Sequence, residues 1–509
     1  MKELLEALIP FARRNLEVPA PAGICPRSVH RLGGAAVAMA TAREDRGRKL
    51  LVVADCREHL PEGFEGEEVA LSERWCGLVA PLSAANAAAL RRHFPWCAPR
   101  SLRRERTTIG CGDRLGLATE GQLRAAVKYR LSPVLAQQSM RELSMTGRTF
   151  RGVVDDAVFA VFSSDYRDGY GADGDHLKNL ADIDTALEAD MPMITLDLSE
   201  VMNASAGDWP DAEINAAFDA LPEEEKSQVT ADYFDRKFVV GDGCVVEISA
   251  AVARRCAVMY DRALDFAVKV YDHLRVRRGD EFDLEISIDE TTSPTLPSHH
   301  LYIARELRRR GVEVSSLAPR FISEFQKAVD YIGDVAEFDR QFKVHARIAK
   351  TFGNYKISVH SGSDKFAVYP TVGRETEGFL HLKTAGTSWL VAVLVIARHD
   401  PALYREMHRF AEANFDDMLK LYHITADLSR IPDLDKLRDD ELPALVESHP
   451  DARQLMHITY GPILTGPLGK RFFAAMHRFE KEYDAALEAH FEKHFSRLGI
   501  PQRRTVSRG

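Results

Sequence analysis

Four short segments of the chain concentrate side chains that could do chemistry. In GADGDHLK, Asp173, Asp175, His176 and Lys178 fall within one Gly-rich stretch. An adjacent Asp-His pair can divide labour, the imidazole holding a metal while the carboxylate moves a proton. The plainer reading is turn residues beside a surface histidine. In SVHSGSDK, His360 falls at the tip of an apolar strand, and the turn of Ser361, Gly362 and Ser363 could offer backbone N–H groups to an anion. In FLHLKTAGTS, His381 and Lys383 are two apart and share a strand face. A lone strand histidine is more often a satisfied core residue, but three histidine-bearing tips together favour a metal site. In FDLEISID, alternation puts Glu285, Ser287 and Asp289 on one face and Leu284, Ile286 and Ile288 on the other. A glutamate there is costly unless it points into a polar lumen, as a catalytic group or as a structural ion-pair partner.

Other chemistries lack their signatures. The glycines of GCGDRLG have the wrong spacing for a dinucleotide fingerprint, Gly469-Lys470 is followed by arginine, and HExxH is absent. His490 and His494, four apart, could present two ligands on one helix face, but that charged helix reads as a solvated surface.

Scattered tips need a scaffold that gathers them. The runs Thr108–Cys111, Pro133–Leu135, Val158–Phe162, Met193–Leu196, Phe282–Ile288, Val314–Leu317, Lys356–Val359 and Phe379–Leu382 read as strands. Helical segments such as Leu180–Ala189 and Leu301–Arg310 alternate with them. This α/β pattern predicts a (β/α)8 TIM barrel over residues 106–400, with polar residues converging at the C-terminal ends of its strands. Residues 1–105 read as an N-terminal α/β unit, with strands at Ala35–Ala40 and Leu50–Ala54 and a helix at Ser83–His93. Residues 203–280 are too long for a bare loop and read as a helical insertion. Residues 401–509 read as a C-terminal helical extension, although the apolar runs YHITADL and LMHITYG compete for places in the barrel.

The composition bounds the function. With 509 residues, 45% hydrophobic and 28% charged, the chain is an ordinary globular protein of several units. A net charge of −9 gives no electrostatic footprint for nucleic acid or an anionic membrane. Trp389–Ala397, the longest purely apolar run, is about half the ~18 residues of a membrane span. MKELLEALIPFARR reads as an amphipathic helix, not a targeting segment, and seven cysteines without a CxxC pair read as reduced thiols in a cytoplasm. An oligomer is possible.

The assembled segments GDRLGLAT, AQQS, GADGDHLK, SVHSGSDK, HLKTAGTS and LMHITYG resemble those of the tagaturonate epimerase family, from about residue 107 to 466. The resemblance implies a metal-dependent isomerase of hexuronate metabolism that interconverts D-tagaturonate and D-fructuronate. The cofactor would be a divalent cation (Zn, Mn, Ni, Co or Fe). A more distant likeness is to class II metal-dependent aldolases. It implies Asp175 as proton acceptor, His176 and His360 as metal ligands and Glu285 as a second acid/base. Those aldolases have a further ligand histidine where this chain reads APRFISEFQK; Gln326 is the substitute, with His381 the alternative third ligand. Ser361, Gly362, Ser363, Lys365, His381 and Lys383, with Arg320, would bind the substrate and its carboxylate.

The two hexuronates differ at a carbon β to the ketone, whose hydrogen the carbonyl does not acidify. Transient oxidation would need a nicotinamide, for which the sequence has no binding loop. Retro-aldol cleavage, rotation of the aldehyde and re-addition is therefore the remaining route, with Asp175 and Glu285 expected on opposite sides of the aldehyde. An aldolase acting on a keto sugar acid, and a non-catalytic sugar-acid binding protein, are the alternatives.

Overall fold

The computed structural model describes residues 8–9, 11–12, 23–41, 47–70, 75–289, 291, 293–360, 364–384 and 386–503. Most of the helix expected over MKELLEALIPFARR, and the Ser361, Gly362 and Ser363 turn, therefore lie outside the described residues. Near the N-terminus, β1 (His30–Leu32), β2 (Ala35–Thr41), β3 (Arg48–Ala54), β4 (Glu67–Ala70) and β5 (Cys76–Ala80) form an antiparallel sheet in the order β1-β2-β3-β5-β4. A helix follows at Ala84–His93, started by Ser83, whose hydroxyl accepts from the Asn86 N–H. Its Arg91 pairs with Asp155 at 2.6 Å, which ties the N-terminal unit to the barrel helix Phe150–Ser164.

Eight parallel strands then close a barrel: β6 (Thr107–Gly110), β7 (Ser132–Ser139), β8 (Gly171–Leu177), β9 (Met193–Asp197), β12 (Asp283–Ile288), β13 (Ser316–Pro319), β14 (Lys356–His360) and β15 (Leu380–Lys383). The alternation along these strands explains the closure. Leu284, Ile286, Ile288, Ile357, Val359, Leu380 and Leu382 are buried against the surrounding helices. Their alternates fill the lumen with polar groups, where TIM barrels usually pack branched apolar ones. Lys383 of β15 reaches Asp175 of β8 and Glu285 of β12, strands that are not its neighbours, so its side chain crosses the lumen.

Three expectations are corrected. Val158–Phe162 is not a strand but part of helix Phe150–Ser164, and the barrel strand is GADGDHL itself. A five-residue apolar run does not distinguish a strand from a buried helix face. The interval after β9 is not wholly helical. Helices Asp211–Asp219 and Glu223–Tyr233 precede a hairpin of β10 (Arg236–Val239) and β11 (Val245–Ile248), and the 29-residue helix Ala250–Arg278 follows. The hairpin turns through Gly241, Asp242 and Gly243, all at positive φ. Neither C-terminal apolar run displaces a barrel strand: LMHITYG lies in helices Pro450–Ile458 and Tyr460–Thr465, and YHITADL is loop up to Leu428. Helices from Pro401–Leu419 to Glu480–Arg497 pack beside the barrel. The last of them approaches helix Thr119–Ala126 so closely that a Cβ on Gly121 would stand 2.8 Å from the Leu487 Cβ. Among the described residues, no helix is long and apolar enough to cross a membrane.

The helical layer buries several histidines in neutral form. Burial pushes His299, His345 and His408 down to about 4. Unfolded imidazoles take up protons near 6.5, so between those values the unfolded chain binds more protons than the folded one. This stability is fully present above pH ~6.5 and is lost as pH falls towards ~4. His408 is fully buried and neither ring nitrogen has a hydrogen-bond partner. His408→Leu is therefore expected to raise the melting temperature more at about pH 5 than at about pH 7. Equal shifts at both values would contradict a neutral buried ring.

Candidate active site

Strand β8 positions the first half of the site. Asp173 and Asp175 are two apart and both face the lumen. His176 would point away by alternation, yet its backbone adopts φ +54° and the register against β9 shifts between Gly174 and Leu177. A left-handed non-glycine residue costs about 1–3 kcal/mol. Here it turns the imidazole to the same side as Asp175, whose Oδ1 lies 2.7 Å from His176 Nδ1. Gly174 permits the kink's packing, because a Cβ there would meet Leu177 Cδ1 at 2.8 Å and Ala186 Cβ at 2.9 Å.

Strands β12 and β14 supply the second half. His360 Nε2 lies 2.6 Å from Glu285 Oε1, while His360 Nδ1 faces Asp289 Oδ2 at 3.1 Å. His176 Nε2 faces the other oxygen of Asp289 at 3.5 Å, and the two imidazole centroids are 4.9 Å apart. Each ring thus donates its outer N–H to a carboxylate, Asp175 or Glu285. The second nitrogens of both rings, His176 Nε2 and His360 Nδ1, converge on Asp289. His360 Nδ1 is buried without a hydrogen-bond partner. Ligand atoms of His176, Asp289 and His360 all lie within 4.8 Å of one another. Two imidazoles and a carboxylate, each imidazole backed by a further carboxylate, are a donor set suited to a divalent transition metal.

Beneath this triplet is a buried charge network. Lys383 Nζ donates to Asp175 Oδ1 at 2.6 Å and lies 3.1 Å from both Asp173 Oδ2 and Glu285 Oε1. Thr195 Oγ1 donates to Asp173 Oδ1 at 3.0 Å, Gln137 Nε2 donates to Asp173 Oδ2 at 3.1 Å, and Ser316 donates to Glu285. Burial acts against the Lys383 charge, but the three carboxylates hold its pKa well above the usual lysine value. Burial likewise opposes ionisation of Asp175 and Glu285. The charges of His176 and Lys383 bring Asp175 well below the ordinary range, and Lys383 and His360 do the same for Glu285. For His176, burial is outweighed by Asp175 and Asp289, which raise its affinity for protons; the carboxylates attract positive charge into this slot.

The slot opens onto a cavity of about 650 Å³ whose walls include Asp289, His360, Arg141, Arg320, Lys327 and Gln326. A polar pocket at the C-terminal mouth of a barrel, lined by strand tips, is where such folds act on small molecules. The family model described as tagaturonate epimerase matches residues 25–498. The chain belongs to that family. The tagaturonate/fructuronate epimerase of Thermotoga maritima is 40% identical over 459 residues, which are 90% of this chain and 93% of that protein. The native crystal structure of fructuronate-tagaturonate epimerase from Cohnella laeviribosi has a TM-score of 0.90 at 40% identity, covering 98% of this chain and 100% of the other. A glycerol complex of the same Cohnella laeviribosi enzyme gives 0.89 at 40% identity, covering 94% and 97%.

On this tagaturonate epimerase scaffold the expected site residues divide. His176, His360, Asp175, Glu285 and Lys383 come together. Gln326 does not join them: its Oε1 accepts from the Thr425 N–H at 3.1 Å and from Gln454 Nε2 at 3.1 Å, tying the loop after β13 to the C-terminal segment. His381 is not the third ligand either. Register pairs His360 with Lys383 and Ser358 with His381, so His381 lies one layer deeper, its Nδ1 2.9 Å from Thr108 Oγ1. Lys365 also stays outside the slot, donating to the carbonyls of Gln326 at 2.9 Å and Val329 at 2.7 Å. Asp175 and Glu285 meet at one ammonium instead of facing each other across the lumen. Sequence reasoning missed Asp289 as a ligand candidate and Asp173 as part of the network. Both signals were present, in the Glu285–Ser287–Asp289 alternation and in the i,i+2 pair of Asp173 and Asp175.

Proposed function

We propose that the chain interconverts D-tagaturonate and D-fructuronate in the pocket at the mouth of the barrel, with a divalent cation held by His176, His360 and Asp289. Family membership supports the reaction. The convergence of two imidazole nitrogens on Asp289, beside the Asp175–Lys383 pair, is the observation that carries the site. A cation bound there supplies Lewis-acid stabilisation of the negative charge that bond cleavage places on the substrate.

The residues of the chain do the rest. Asp175, kept ionised by Lys383 and His176, takes the proton of the hydroxyl on the carbon β to the ketone. The bond from that carbon to its neighbour breaks, its electron pair moving into the former ketone to give an enediolate, and the β carbon becomes an aldehyde. The aldehyde turns over, the carbon–carbon bond re-forms on its other face, and a proton returns to the new alkoxide. Glu285 is fully buried, and we assign it as a positioning residue: it holds His360 by its Nε2–H and shares Lys383 with Asp175. Arg141, Arg320 and Lys327 line the cavity and supply positive charge for the substrate carboxylate.

Proton NMR of D-tagaturonate incubated with the metal-supplied enzyme tests the proposal. D-Fructuronate should accumulate to equilibrium without free three-carbon fragments. Net release of those fragments would mark an aldolase, and no change in the sugar would mark a binding protein. Asp175→Asn keeps the side-chain shape and is expected to lower turnover at least ~10²-fold. Near-full activity in that variant would remove Asp175 from the mechanism.

A further inference from the structure

We propose that Asp364, His490 and His494 form a second divalent-cation site, best suited to zinc, that joins the segment after β14 to the C-terminal helix. The sequence reading of the helix Glu480–Arg497 as solvated on this face does not hold. The His494 side chain is fully buried, and Asp364 and His490 are 14% and 22% exposed. The two histidines are four residues apart on one helix face, their ring centroids separated by 4.8 Å.

Proton placement argues for a cation. His494 Nδ1 lies 2.9 Å from the backbone carbonyl oxygen of His490, which can only accept, so Nδ1 carries the hydrogen. In a neutral ring, Nε2 then presents a lone pair. That atom is buried, has no hydrogen-bond partner, and faces the acceptor Asp364 Oδ1 at 3.3 Å. His490 Nε2 is hydrogen-bonded to the same oxygen at 2.9 Å, and a bound cation would take the place of that proton. A lone pair aimed at a carboxylate oxygen in a buried site requires a positive charge between them or a second proton on the ring.

The surroundings favour the ion. Arg453 Nη2 holds the other carboxylate oxygen, Asp364 Oδ2, at 3.0 Å; it orients the carboxylate and leaves Oδ1 to the two histidines, as an outer-shell partner does. A small cavity of about 210 Å³ borders Asp364, His490 and Arg453, giving room for a water as fourth ligand. Two imidazoles, one carboxylate and a water make a tetrahedral set of the kind zinc takes. The three protein ligand atoms already lie within 4.8 Å of one another. The site shares no residue with the barrel slot and does not depend on the reaction proposed for it.

The full-length protein, stripped with a chelator and dialysed against zinc chloride, is measured for bound zinc by mass spectrometry and for melting temperature. Wild type should retain about two zinc ions per chain. The double variants His490→Gln/His494→Gln and His176→Ala/His360→Ala should each retain about one. Zinc should raise the melting temperature of wild type more than that of His490→Gln/His494→Gln. Unchanged zinc content and an unchanged zinc-dependent melting shift in His490→Gln/His494→Gln would overturn the proposal. Zinc loss confined to the His176→Ala/His360→Ala protein would overturn it as well, leaving a protonated His494 as the partner of Asp364. If a variant fails to fold, zinc-edge anomalous diffraction on wild type decides. A peak between the Nε2 atoms of His490 and His494 supports the site, and a peak only at the barrel mouth overturns it. The two sites therefore fail separately.

Discussion

Alanine at His176 or His360 is expected to lower turnover of D-tagaturonate at least ~10³-fold while the barrel stays folded. Lewis-acid stabilisation is worth several kcal/mol at the transition state, and each 1.36 kcal/mol is tenfold in rate. Both rings offer their inner nitrogen to the same Asp289 carboxylate, so losing either opens the slot. The two variants are not equivalent in stability. Alanine at position 176 keeps the left-handed backbone but removes the His176–Asp175 hydrogen bond, whereas His360→Ala removes the donor to the buried Glu285. Metal content, melting temperature and turnover measured together check this. A variant that loses its metal and remains fully active would end the assignment of this cluster to the chemistry.

The largest stability loss is expected at Lys383. Its ammonium is shared by Asp173, Asp175 and Glu285, all buried. Lys383→Met leaves three carboxylates in the lumen without their cation. Removing one partner of a buried ion pair typically costs about 3–5 kcal/mol. Asp173, whose pKa burial already raises against the pull of Lys383, should then be the first to take up a proton. Chemical denaturation should show the loss directly, and it should shrink as pH is lowered and the carboxylates neutralise. Glu285→Gln should behave differently: a smaller destabilisation, and a fall in turnover that follows the disturbed His360. A Lys383→Met protein as stable as wild type would mean that the three carboxylates are already largely protonated.

The barrel was legible because its strands alternate outward apolar residues with lumen residues that are polar. Asp283–Ile288 shows this in six residues. The same polarity hid β8, since Gly171, Asp173, Gly174 and Asp175 are poor strand formers and read as a turn. Their strand conformation comes from pairing with β7 and β9, which no local preference records. His176 and His360 could be paired from their places at strand tips. Asp289 could not be ranked above Gln326, because that choice depends on where the loop after β13 is pulled. Thr425 and Gln454, about a hundred residues further on, pull it away. The hydrogen bond from Lys383 to Asp175 spans 208 residues and needed the closed barrel to appear. The His490–His494 pair was visible as a spacing, but its burial depends on Asp364 and the packing of Phe366 against His494 at 4.8 Å.

The most direct test of the central claim is the epimerisation of D-tagaturonate followed by proton NMR in deuterated water, before and after removal of the metal. Cleavage and re-formation of the carbon–carbon bond never breaks the C–H bond at the inverted carbon. The account therefore predicts D-fructuronate with protium retained at that carbon, formed by the metal-supplied enzyme, lost on chelation and restored by a divalent cation. Deuterium at the inverted carbon, or undiminished turnover by enzyme verified to be metal-free, would contradict it.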